Sequence, residues 1–255
     1  MKRGEVIPFR EIDSVLRHDW ALLVRALHGN PTLLPDWVEI AAGETGKSGA
    51  DLSVFVDRSE DGTLVGVLPF FISNGTFHGL PVRRLEPASN LMSYHADLLT
   101  ARDPADFLES FLDAAPTWDL FHVSTLKELG VGQAALNAVA QRHALHCSWW
   151  RGELSPYLPI SGTWDTLIAS KSKKFRYKVR KRREWLSSQP AARIVWFGKN
   201  SDTSKLMEDM LQIESMSWKA KEGRDINSRP IEREYYRALL PMLQSLDSLL
   251  GNILY

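Results

Sequence analysis

Two stretches of this 255-residue chain carry side chains whose type and spacing could do chemistry. The first is Ile213-Glu214-Ser215-Met216-Ser217-Trp218-Lys219-Ala220-Lys221-Glu222-Gly223. Glu214 and Trp218 lie four apart, which places them on one face of a helix. A carboxylate beside an aromatic ring is partly desolvated, and that environment suits a general base. Lys219 stands near the helix end, where peptide dipoles favour a cation. Glu214 is therefore the candidate base, with Trp218 and Lys219 shaping and charging a pocket beside it. A packed Trp next to a surface Glu–Lys pair would give the same spacing, so the stretch alone fixes no role.

The second stretch is strongly basic. Nine of the thirteen residues 171–183 are Lys or Arg. Phe175, Val179 and Leu186 share one helical face, which predicts a basic amphipathic helix. Such clustering attracts phosphates, nucleic acid or acidic lipid. Lys173, Lys174, Arg176, Lys178, Arg180 and Arg183 are the candidate anion-binding residues. The alternative is a solvated helix whose long side chains cover neighbouring apolar surface. Nucleic acid is the weaker choice of partner, because no helix-turn-helix, zinc finger or RNP-like aromatic pattern accompanies the run.

The histidines offer less. His95, between Tyr94 and Ala96-Asp97, is a second and weaker candidate acid or base. His143, His146 and Cys147 are close in sequence, but no fourth ligand is evident and their spacing fits no common site, so no metal is expected. His122, within Phe121-His122-Val123, reads as a core residue. Gly46-Lys47-Ser48 looks like the end of a phosphate loop, but Ala41 stands where its first glycine belongs. Nucleophile-elbow, zincin and dinucleotide signatures are absent.

Elements must position these groups, and composition bounds them. The chain is 44% hydrophobic and 24% charged, as expected for a folded globular protein. Its single cysteine excludes a disulfide framework. No apolar run reaches about 18 residues, so no transmembrane segment is expected. The first residues lack the apolar core of a signal peptide, and a cytoplasmic protein is the expectation. The zero net charge hides a split: 12 basic and 19 acidic residues in 1–150, then 19 and 12 in 151–255. Two units with different surfaces follow, the second suited to an anionic partner.

The first half reads as mixed α/β. Helical spacing runs through 19–27, and Pro35-Asp36 opens a second helix. Residues 52–56 and 64–72 are the strongest strands, joined through the turn signal Asp61-Gly62. Asn74-Gly75 reads as the end of the second strand. Shorter strands are expected at 83–86 and 95–99. A helix then opens at Asp103-Pro104, with Phe107, Leu108, Phe111 and Leu112 inward. A strand over 120–123, a helix over 132–142 and a strand near 144–149 follow. The prolines at 156 and 159 mark a junction. Beyond it come a helix start at Gly162-Thr163-Trp164-Asp165, a strand at 193–197, helices over 203–216 and 231–248, and a strand beginning at Gly251.

Read together, Ser172-Lys173-Lys174-Phe175-Arg176-Tyr177-Lys178-Val179-Arg180-Lys181-Arg182-Arg183 with Leu186, and then Ile213 to Gly223, resemble the CelD-like acyltransferases. These are a branch of the GNAT (N-acetyltransferase) superfamily linked by name to cellulose and exopolysaccharide biosynthesis. Leu64 to Phe71, Gly79 to Leu85 and Ser93 to Leu99 also look like the N-terminal half of that family. The resemblance implies an α/β fold of tandem GNAT-like lobes, mixed sheets flanked by helices, at 1–155 and 160–255. It implies an acyl-CoA donor, acetyl-CoA foremost, and transfer to an amine or hydroxyl on a small-molecule or saccharide-linked acceptor. Under it, the basic helix would hold an anionic substrate or the CoA phosphates.

The family's R/Q-x-x-G-x-G/A loop, which seats the donor pyrophosphate at a helix N-terminus, is not found in 160–255. Gly251 to Tyr255 reads as the first strand of a sheet that would need on the order of a hundred further residues. The second lobe is thus expected to be incomplete, with an unpaired edge that favours self-association. Two other classes stay open. One is a Fem-type aminoacyltransferase, which shares the tandem architecture and uses charged tRNA. The other is a non-catalytic remnant acting as a binding module.

Overall fold

The computed structural model describes residues 4–44, 52–88, 98–152, 154, 156, 158–159 and 161–255. The chain begins with β1 (Gly4–Pro8), α1 (Ser14–Ala26), α2 (Pro35–Glu44), β2 (Leu52–Arg58), β3 (Leu64–Phe77) and β4 (Leu80–Pro87). Then come β5 (Leu99–Thr100), α3 (Pro104–Ala114), β6 (Leu120–Phe121) and α4 (Val131–Arg142). These strands form one mixed sheet of six, in the order β1-β2-β3-β4-β6, with β5 also on β3.

Strand β3 organises the sheet. Its residues Leu64–Phe71 pair antiparallel with β2, while Phe70–Phe77 pair antiparallel with β4. Strand β5 pairs with Gly66 and Val67, so β5 and β4 use one edge of β3 in succession. The only parallel pairing among the described residues joins β4 to β6 through the α3 crossover.

Both faces of the sheet are covered, which is why 64–72 is almost continuously apolar rather than alternating. Val54, Val56, Val67 and Phe71 pack with Leu16, Trp20, Leu23 and Val24 of α1 and with Val38 of α2. The intervening residues Phe55, Leu68 and Phe70 pack with Phe107, Leu108 and Phe111 of α3 and with Ala135 and Val139 of α4. Ring centroids of Phe55, Phe70, Phe107 and Phe111 come within 5.1–5.5 Å in the pairs Phe55–Phe107, Phe55–Phe111 and Phe70–Phe111.

Several expectations are corrected here. Asn74-Gly75 does not end β3. The strand runs on to Phe77, and the turn is His78-Gly79, with φ of 48° and 82°. Two successive left-handed residues match the twist of an antiparallel pair, and glycine at the second removes the steric cost. No strand forms at 144–149; those residues are exposed and irregular, and Leu145 and Trp149 find no sheet edge. The strand expected at 120–123 is two residues long. Of the strand expected at 95–99, Leu98 and Leu99 lie within the described residues, and only Leu99 of the two is in a strand, where it begins β5.

The rest of the chain forms α5 (Trp164–Ala169), α6 (Lys173–Ser187), β7 (Ile194–Phe197), α7 (Thr203–Met216), α8 (Trp218–Lys221), α9 (Pro230–Ser245) and β8 (Gly251–Leu254). Strands β7 and β8 make a separate antiparallel ribbon. Its inner residues Phe197 and Ile253 pack with Leu206 and Met207 of α7, Ile226, and Leu240 of α9. The opposite side of α9 buries Tyr235 and Leu239 against Ala41, with Trp37 and Ile40 of α2 alongside. Helix α9 therefore joins the ribbon unit to the six-stranded unit.

Candidate active site

Helix α7 is fixed at its start by Asp202, whose side chain accepts from the backbone N–H groups of Ser204 and Lys205. It ends at Met216 because Ser217 turns to extended backbone, φ −83° and ψ 169°. The Ser217 hydroxyl donates to the Glu214 carbonyl at 2.8 Å and accepts from the Lys219 N–H at 3.2 Å. One residue thus closes α7 and caps α8. Gly223 then reverses the chain at φ 63°, and the Arg224 N–H bonds back to the Lys219 carbonyl at 2.9 Å.

This kink folds Lys219 over Glu214. The ammonium Nζ donates to Glu214 Oε1 at 2.6 Å. The other oxygen, Oε2, is shut off from solvent and has no hydrogen-bond partner among the described residues. A shielded acceptor without a donor costs roughly 1–3 kcal/mol.

Glu214, Trp218 and Lys219 all line a cavity of about 490 Å³. Met210, Ile213, Ile226 and Ile253 contribute apolar wall, and Arg224, Arg229, Glu232, Tyr236 and Asn252 complete it. Trp218 is 60% exposed, with the Arg224 guanidinium 5.9 Å from its ring centroid. Arg229 is ion-paired with Glu232. Each cation of the lining already has a carboxylate partner: Lys219 pairs with Glu214, Arg229 with Glu232, and Arg224 lies 3.5 Å from Glu222, which makes the cavity polar without an excess of either charge.

Sequence spacing found Glu214, Trp218 and Lys219, but not Arg224, Arg229, Tyr236 or Asn252. The last four come from a turn, α9 and β8, and no local periodicity connects them to α7. Behind this wall, buried Asp225 accepts from the Ser228 hydroxyl at 2.6 Å and the Ser228 N–H at 3.2 Å. The Ser228 hydroxyl, above all, holds the Asp225 carboxyl below the usual carboxylate range.

The basic helix α6 does not join this cavity; none of its residues lines it. It is helical as expected, capped by Ser172, and none of its residues is buried. Arg176 is a structural group rather than an open anion site: its Nη1 donates to the carbonyls of Ala169 and Lys171, both at 2.9 Å, where α5 ends. Arg180 lies 3.6 Å from Glu184 and over the ring of Tyr177. Lys173, Lys174, Lys178 and Arg183 have no ion-pair or hydrogen-bond partner among the described residues.

His95 lies outside the described residues. His122 is half-buried rather than core; its Nδ1 lies 2.8 Å from Glu86 Oε1, and its ring stacks on Trp150. A polar partner at one end and an open indole at the other replace the apolar packing expected from its neighbours. His143 Nε2 lies 2.6 Å from Glu109 Oε1, and Cys147 is exposed. Among the described residues no cluster of His, Cys, Asp or Glu could hold a metal.

The residues around the Glu214 cavity do not fit the pyrophosphate of CoA. The first N–H groups of α7 are taken by Asp202, and α9 opens with Pro230, which has no N–H. A G-x-G spacing does occur at Lys127-Glu128-Leu129-Gly130-Val131-Gly132, where Gly130 begins α4 without a side-chain cap. That run has Lys in place of Arg or Gln, and it belongs to the six-stranded unit.

No family model matches the chain, and no curated protein does. Among solved structures it is similar to a probable acetyltransferase, at 13% identity and TM-score 0.37, over 63% of this chain and 99% of that one. It is also similar to a ribosomal-protein-alanine N-acetyltransferase from Brucella melitensis biovar Abortus 2308, at 13% identity and TM-score 0.34, covering 60% and 99%. A mutant BH1408 protein from Bacillus halodurans matches at 13% identity and TM-score 0.35, covering 61% and 99%. Likeness at this level transfers no activity to the chain.

Proposed function

We propose that the Glu214 cavity is the acceptor site of an acyltransferase. The acceptor is an amine or hydroxyl, and acyl-CoA is the donor. One observation carries the acceptor role: a carboxylate pinned through Oε1 by Lys219, with Oε2 shielded and unpartnered beside a cavity of substrate size. Pinning one oxygen fixes the direction of the other. An entering N–H or O–H donates to Oε2, and Glu214 takes the proton as the acceptor becomes nucleophilic. Trp218 offers an apolar face to the acceptor, and the ion-paired Arg224 and Arg229 give the cavity a polar wall suited to an acceptor that carries hydroxyl groups.

The acyl-CoA donor, and a link to exopolysaccharide or cell-envelope material, rest on the sequence resemblance. No donor step is assigned to residues of the cavity, since they do not fit the CoA pyrophosphate. That mismatch favours a second reading, a binding module that holds the acceptor without transferring to it. Incubating the full chain with acetyl-CoA and a mixture of amines and sugars, then reading acetylated products by mass spectrometry, separates the two. Product supports transfer; binding without product supports the module.

A further inference from the structure

The acceptor site leaves α6 unused, and α6 is the most charged element of the chain. Its fifteen residues hold eight Lys or Arg and one acid, Glu184, a net of +7. Glu184 is already committed to Lys181 at 2.9 Å and Arg180 at 3.6 Å, and Lys181 above all holds its carboxyl below the usual range. Lys173, Lys174, Lys178, Arg182 and Arg183 have no counter-charge among the described residues. A density of like charge of this kind is unfavourable without an external anion.

The helix also carries exposed aromatic surface. Val179 and Leu186 are its half-buried line. Beside that line runs a stripe at i, i+3, i+7 and i+10: Phe175, Lys178, Arg182 and Trp185. All four are exposed, Phe175 by 48% and Trp185 by 64%. The two rings stand about 15 Å apart along the axis, with two free cations between them. Two more apolar groups, Leu154 and Leu158, are exposed in the segment leading to α5, as is Trp164 within it.

We propose that α6 is a peripheral membrane-docking helix that lies on an anionic lipid surface. Aromatic rings settle at the headgroup boundary, and Lys and Arg extend to lipid phosphates and carboxylates. Each such cation contributes to attraction by an anionic leaflet. Single-stranded nucleic acid is the competing partner, since it also uses cations and rings. It is held in grooves with successive stacking platforms, whereas α6 is a single convex helix with no buried residue and lines no part of the Glu214 cavity.

The test is flotation of the full chain with vesicles of phosphatidylcholine alone or with phosphatidylserine added. The chain should float with the phosphatidylserine vesicles only. Lys178→Ala with Arg182→Ala should weaken partitioning roughly thirty-fold. Phe175→Ala with Trp185→Ala should remove the part of binding that survives high salt. Should either pair alter the far-UV circular dichroism, Lys178→Gln with Arg182→Gln reads the same charges in a helix-compatible form. No flotation with phosphatidylserine, flotation untouched by all of these variants, or binding of single-stranded RNA without flotation would each overturn the proposal. None of these readouts depends on acyl transfer, so this proposal and the acceptor-site reading fail separately.

Discussion

Lys219 Nζ sits 2.6 Å from Glu214 Oε1, although the two residues belong to different helices. The contact exists because Ser217 interrupts the helix between them. In an unbroken helix, residues five apart would not face each other. The ion pair is half-exposed on the Lys219 side, so its value is orientation more than stability.

Lys219 is therefore a positioning residue. Lys219→Met should lower kcat by up to about a hundredfold through misplacement of the carboxylate. Lys219→Arg should restore much of it, because a guanidinium still donates to Oε1. A loss of thermal stability equal in both variants, with no rescue by Arg, would show a structural role only.

The Ser217 cap predicts a stability effect. Ser217→Ala should cost about 1 kcal/mol, the usual value of an N-cap hydroxyl, read as the urea midpoint at unchanged slope. Ser217→Asp should retain most of the stability, since its carboxylate can accept from the Lys219 N–H.

A second carboxylate of α7 sets an acid limit. Asp209 is buried, accepts from Lys205 Nζ at 2.6 Å, and is hydrogen-bonded to the Tyr255 hydroxyl. Lys205 first, then Tyr255, holds its carboxyl below the usual range. A carboxyl with a lower pKa folded than unfolded stabilises the fold fully above the ordinary carboxylate range, and that contribution fades as pH falls through the folded value. Urea unfolding between about pH 5 and pH 2 should show this loss. Tyr255→Phe should make the acid dependence shallower, and Asp209→Asn should flatten it further while lowering stability at neutral pH. An unchanged slope in both variants would count against the assignment.

Gly66 marks a tight point of the sheet. A Cβ there would stand 2.4 Å from the Phe107 ring, which is fully buried. Gly66→Ala should destabilise by about 1–3 kcal/mol through overpacking. Adding Phe107→Leu should recover part of that loss, giving a non-additive pair in a double-mutant cycle.

The legible parts of the fold were those written in local pattern. The apolar run at 64–72, the Asp103-Pro104 start of α3 and the basic periodicity of α6 each found their element. Long-range pairing was not legible. Asn74-Gly75 is a strong turn signal, yet pairing of Asn74 with Arg83 and Gly75 with Val82 carries β3 through it. His122 reads as core from Phe121 and Val123, but its partner Glu86 is 36 positions away. The candidate site divides the same way. Glu214, Trp218 and Lys219 lie within six residues, while Asn252 reaches the cavity only because β8 pairs with β7. Arg176 carried a clear charge signal and turned out to bind backbone carbonyls, a use that composition cannot distinguish.

The most direct test of the acceptor site compares the full chain with its Glu214→Gln variant, measuring CoA thiol release from acetyl-CoA against a saturating acceptor. The isosteric amide keeps the shape and cannot take the proton. The account predicts measurable turnover in the parent chain and a fall in kcat of roughly 10²–10⁴-fold in the variant, with KM little changed. Equal turnover in both proteins would contradict it, and would remove Glu214 from the chemistry.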